Sequence, residues 1–140
     1  MFMKRLVIDT ETGGLFPREH SLLTIGMVLA DFKPRRIKFT HQKHILIKHP
    51  EYFVTRSALK INGIDLEQHH KAGVVPKLAH KQMTEFIDEH SLHDMTLLGH
   101  NVHFDINFLD AFCAEHALKF PLSREKEDTR YMWEIGRAHV

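Results

Sequence analysis

Apolar positions follow two rhythms along this chain, and the change between them marks its elements. Leu6-Val7-Ile8 is an unbroken apolar run between Lys4-Arg5 and Asp9, the signature of a buried strand spanning Met3 to Asp9. A loop at 13–21 holds Pro17, and the mostly apolar stretch Leu22 to Ala30 predicts a second strand, antiparallel to the first. Asp31 to Pro34 has turn chemistry, and Ile37 to Ile47 predicts a third strand. Its Arg36, Lys38 and Lys43 suit phosphate contacts or, more simply, an edge strand guarded against aggregation.

Beyond residue 50 the spacing becomes helical. Thr55 can cap a short helix that stops at Asn62-Gly63. Asp65 to Val75 reads as a polar loop, with His69-His70 at the surface. Pro76 suits the first turn of a helix to about His90, with Ala79, Met83, Phe86, Ile87 and His90 as its inner stripe and Lys81 and Glu85 paired outside. Met95 to Leu98 is a short buried strand, followed by a helix to about His116. After a loop at Lys119 to Lys126, Glu127-Asp128 enters a fifth strand and Arg130 to Trp133 starts a last helix. Three antiparallel strands, then helix, strand, helix, strand, predict an α/β domain with a mixed five-stranded sheet flanked by helices.

Several acidic residues break this pattern. Asp9 and Glu11 lie two apart at the end of the first strand, so they project from one face. Like charges that close repel, more so when buried, and a divalent cation between them removes the repulsion. Gly13-Gly14 just beyond would let a ligand's backbone come close. Asp105 falls with Phe108, Leu109 and Phe112 at i, i+3, i+4 and i+7, on an apolar helix face where a bare carboxylate is costly. A cation shared with Asp9 and Glu11 would offset that cost. Asp110 lies off the stripe and is expected to be simply solvated. His100 and His103 do not make a closed zinc site, because no cysteine or third histidine stands close in sequence.

The segments Ile8-Asp-Thr-Glu-Thr-Gly-Gly-Leu15 and Gly99-His-Asn-Val-His-Phe-Asp105, in this order and separation, resemble the first two motifs of the DEDD (DnaQ-like) superfamily of 3′-to-5′ exonucleases. The resemblance covers nearly the whole chain. It implies a ribonuclease H-like fold and two divalent metal ions, Mg²⁺ or Mn²⁺, held by hard oxygen ligands. Asp9 would bridge both metals, Glu11 would bind one and Asp105 the other. Thr12 and Leu15 match positions that touch the terminal nucleotide, though Leu15 suits ordinary loop packing equally well. His100 and Asn101 are expected to hydrogen-bond the loop that aims Asp105. Asp128-Thr129 resembles the structural Asp-Thr at the next strand–helix junction. The implied partner is a DNA or RNA 3′ end, with a polymerase as a further candidate.

The family's third motif, a His or Tyr shortly before a final Asp, has no match after Asp128. Residues 134–140, Glu-Ile-Gly-Arg-Ala-His-Val, read as the in-frame translation of a sequencing adapter. The expectation is therefore an exonuclease domain over 1–133, incomplete at its C-terminus, with 134–140 as an artefactual tail. Such a chain would lack the general base and the fourth carboxylate. It would be nearly inactive, bind metal weakly and leave one face of the sheet uncovered. A non-catalytic module binding nucleic acid or a polymerase, and an internally cutting nuclease of the same fold, are the rival readings.

Bulk properties narrow the class only slightly. With 140 residues, 43% hydrophobic and 26% charged, the chain is one ordinary globular domain. The single cysteine, Cys113, precludes an internal disulfide framework, and no apolar run is long enough to span a membrane, so a cytoplasmic setting is expected. The formal net charge of +1 neither advertises nor excludes a nucleic-acid partner.

Overall fold

A computed structural model describes residues 3–130. The expected helix at Arg130 to Trp133, beyond its first residue, and the tail at 134–140 lie outside the described residues. Three strands come first: β1 (Met3–Thr12), β2 (Leu22–Lys33) and β3 (Arg36–Leu46). Helices α1 (Arg56–Asn62), α2 (Leu66–Ala72) and α3 (Pro76–Glu89) follow, then β4 (Leu97–Gly99), α4 (Val102–Glu115) and β5 (Lys126–Asp128). The sheet order is β3-β2-β1-β4-β5. β1–β2 and β2–β3 pair antiparallel, whereas β1–β4 and β4–β5 pair parallel. This is the mixed five-stranded sheet that the apolar rhythm predicts.

The core lies on one face of that sheet. Leu6 and Ile8 of β1, Ile25 and Met27 of β2, and Ile45 of β3 pack with Met83 and Ile87 of α3 and Phe108, Leu109 and Phe112 of α4. Alternation does the sorting: along β1, Leu6, Ile8, Thr10 and Thr12 are buried while Asp9 is exposed. The local signals for α1 hold, since the Thr55 hydroxyl accepts the Ala58 N–H and Gly63, at φ 68°, closes the helix in the left-handed conformation. In α3, Lys81 and Glu85 stand 3.9 Å apart.

The polar loop expected at 65–75 is instead largely α2. The Asp65 carboxylate caps it by accepting the N–H groups of Glu67 and Gln68. Its one buried residue is His69, whose Nε2 lies 2.7 Å from the Ile47 carbonyl oxygen. A helix fastened by a single histidine has no apolar stripe, so periodicity gave no sign of it. Asp110 is not merely solvated: it takes two hydrogen bonds from the Arg124 guanidinium, at 2.7 and 2.9 Å. Among the described residues no helix is long and apolar enough to cross a membrane.

Candidate active site

β1 outruns its neighbour. β4 pairs with Leu6 and Val7 only, while β1 continues through Asp9-Thr10-Glu11 to Thr12. The acidic tripeptide therefore occupies the stretch of β1 that has β2 on one side and no strand on the other. Asp9 and Glu11 share the face opposite the helical core, and Asp105 approaches from the first turn of α4.

Asp105 is buried, at 4% exposure. Its Oδ1 accepts the Thr10 backbone N–H at 3.0 Å and also the Thr10 hydroxyl. Burial pushes its carboxyl up to about 6; the Thr10 hydrogen bonds oppose that rise and the Asp9 charge adds to it. Glu11 is also raised, by burial first and by Asp9 second, with His44 acting in the opposite direction. Asp9 thus stands within electrostatic reach of both other carboxylates. Among the described residues, no three His, Cys, Asp or Glu side chains close tightly enough to grip a single ion.

His44 was not visible as part of this place in the sequence. Sheet register puts it there: Asp9 pairs with Gly26, and Gly26 with His44. A Cβ on Gly26 would lie 3.9 Å from the His44 ring, so the imidazole leans over the gap that glycine leaves.

The turn into α4 is held from the far edge of the sheet. Asn101, at φ 57°, is left-handed, and its side chain makes no capping bond. Asp128 instead accepts the N–H groups of Asn101 and Val102, both at 3.2 Å, and that of Arg130 at 3.0 Å. The Arg130 guanidinium donates to both of its oxygens, and this pairing holds the Asp128 carboxyl well below the usual carboxylate range. His100 reaches Thr129 through Nδ1, at 3.2 Å, and His103 is exposed.

Beside Glu11 opens a cleft of about 290 Å³, lined by Thr12, Leu15, Ile61, Asn62 and Phe104 among others. Leu15 is 72% exposed and Ile61 86%, so neither is spent on packing. Thr12 is buried and its hydroxyl donates to the Gly14 carbonyl, while Asn62 Nδ2 donates to the Thr12 carbonyl. Gly13 and Gly14 serve the protein's own packing. An added Cβ would stand 2.3 Å from the Phe53 carbonyl oxygen at Gly13, and 2.5 Å from the His20 ring at Gly14.

A model of the family described as Exonuclease matches residues 6–136. The chain belongs to the exonuclease family. Within it, this exonuclease-family chain is 32% identical over 135 residues to the 3′-5′ DNA exonuclease Cap18 of Escherichia coli, covering 95% of this chain and 68% of that protein. It superposes on the product-bound structure of exonuclease I with a TM-score of 0.73 over 90% of its length, at 16% identity. Against E. coli exonuclease I in complex with a dT13 oligonucleotide the TM-score is 0.73 at 15% identity, again over 90% of this chain. These likenesses show the DEDD exonuclease fold. The chain spans 30% and 28%, respectively, of those two solved chains.

Proposed function

We propose that this chain carries the site of a 3′-to-5′ exonuclease that removes nucleotides from a nucleic-acid 3′ end by two-metal-ion hydrolysis. One observation carries the reading: in a chain of the exonuclease family, Asp9 and Glu11 share one face at the end of β1, and Asp105 is tied by a hydrogen bond to Thr10, the residue between them. Asp9, Glu11 and Asp105 would hold the divalent cations there. All the donors are carboxylate oxygens, the chemistry that Mg²⁺ and Mn²⁺ prefer over softer sites. Such ions, when bound, activate a water and stabilise the leaving 3′ oxygen.

The chain's own residues then bind and orient. The cleft beside Glu11 receives the terminal nucleotide, with Leu15, Ile61 and Phe104 offering apolar surface to the base and sugar. Thr12 fixes the loop that carries Leu15. The name of the E. coli relative favours DNA as the substrate.

The test joins binding to chemistry. Free Mn²⁺ is followed by electron paramagnetic resonance as protein is added, and a 5′-labelled single strand is incubated with Mn²⁺ beside a circular single strand. Expected are Mn²⁺ binding weakened at least about tenfold by Asp9→Ala, and any cleavage confined to the linear strand, shortening stepwise from its 3′ end. Cleavage of the circle would indicate an internally cutting nuclease. Mn²⁺ and oligonucleotide binding that ignore Asp9→Ala would leave only a non-catalytic module.

A further inference from the structure

Thr10 is the residue between the two strand carboxylates, and it points the other way, into the core at 8% exposure. Its N–H direction follows from the ladder. The Leu6 N–H donates to the Thr96 carbonyl, on the β4 side, at 3.1 Å. Residues an even number apart on a strand present their N–H groups to the same edge, so the Thr10 N–H also leaves toward β4. There β4 has ended at Gly99, and the chain turns away at the left-handed Asn101.

A buried N–H without a partner is rare, and here Asp105 Oδ1 stands where a strand carbonyl would be. The Thr10 hydroxyl, on a β-branched side chain with few rotamers, donates to the same oxygen. Two donors from one residue pin Oδ1 in place. Oδ2 takes part in neither bond.

We infer that Thr10 is a positioning residue for cation binding: it occupies Asp105 Oδ1, so that Asp105 offers a divalent cation Oδ2 alone, held in fixed register with Asp9 and Glu11. The inference rests on the cation site proposed above. It gives the tripeptide a division of labour, with two side chains outward as ligands and the one between them inward as the clamp for the third.

The experiment compares wild type, Thr10→Val, Thr10→Ser and Asp9→Ala by free-Mn²⁺ titration and thermal unfolding. Thr10→Val keeps the shape and the N–H but loses the hydroxyl; Thr10→Ser restores the hydroxyl without the methyl. Thr10→Val should weaken Mn²⁺ binding about tenfold in protein that is still folded, and Thr10→Ser should stay within about twofold of wild type. A purely structural hydroxyl would lower the unfolding temperature of Thr10→Val and leave Mn²⁺ affinity unchanged, which overturns the inference while Asp9→Ala still upholds the site. Wild-type protein whose Mn²⁺ binding ignores Asp9→Ala sinks the site and the inference together. Should Thr10→Val fail to fold, infrared spectra of wild type with ¹³C-carboxyl aspartate decide: a one-oxygen carboxylate splitting on Mn²⁺ addition supports the inference, and a chelating splitting at Asp105, identified by its loss in Asp105→Asn, refutes it.

Discussion

Asp105 is held by two hydrogen bonds, yet its carboxyl sits at about 6, so burial outweighs the bonds that favour the charged form. An acid raised in the fold above its unfolded value is favoured there when protonated. Its ionisation, as pH climbs from the ordinary carboxylate range through about 6, therefore removes stability. In buffer stripped of divalent cations, Asp105→Asn should be more stable than wild type above that range, by about 1–3 kcal/mol. The advantage should vanish as pH falls to about 4. Urea midpoints at the two pH values check both halves. Asp9 and Glu11 stand out in the sequence as like charges two apart at a strand end, and Asp105 as a carboxylate on an apolar helix face. Thr10, His44 and Ile61 do not. Thr10 matters because of where another strand stops, His44 because of a register two strands away, and Ile61 because it stays 86% exposed at a helix end. None of these leaves a local pattern. Gly13 and Gly14 answer to tight approach by the chain itself, and Gly14 also lines the cleft beside Glu11.

Among the elements, α4 depends on the short strand at the far edge of the sheet. Asp128 at the end of β5 receives two N–H groups of the turn that launches α4, and Arg130 fixes its carboxylate. Asp128→Ala should therefore cost about 2–4 kcal/mol, the range for losing a buried, multiply bonded charge. The Asn101 and Val102 amides should lose hydrogen-exchange protection first, ahead of β1 and β2, and early exchange in the central strands would contradict this coupling. The elements that read well from sequence are those with dense local signals: the apolar runs of β1 and β2, the Thr55 cap, and the stripes of α3 and α4. The helix α2 escaped because its one internal anchor is a histidine bound to a main-chain oxygen.

At the level of the whole molecule, two buried histidines sit under the outer part of the sheet. His49 Nε2 lies 2.7 Å from the Leu22 carbonyl oxygen, and His69 is close by. Burial lowers His49, partly offset by that hydrogen bond; the His116 charge pushes it lower still, Glu115 raises it and His69 lowers it. A histidine depressed in the fold binds its proton more readily when unfolded, so stability falls as pH drops below about 6.5. Asp105 shifts in the opposite sense over nearly the same range, so wild type alone will show a shallow slope. His49→Gln should expose the two: its unfolding temperature should fall less than that of wild type between about pH 7.5 and 5.5. An equal fall in both proteins would remove His49 from the account.

The mismatch in length between β1 and β4 also limits how the molecule can vary. Extending β4 by one more ladder rung would hand the Thr10 amide a main-chain oxygen and evict the Asp105 carboxylate from its berth. Insertions that prolong β4 past Gly99 should then disturb two things together, the turn that Asp128 holds and the seat of the Asp105 carboxylate.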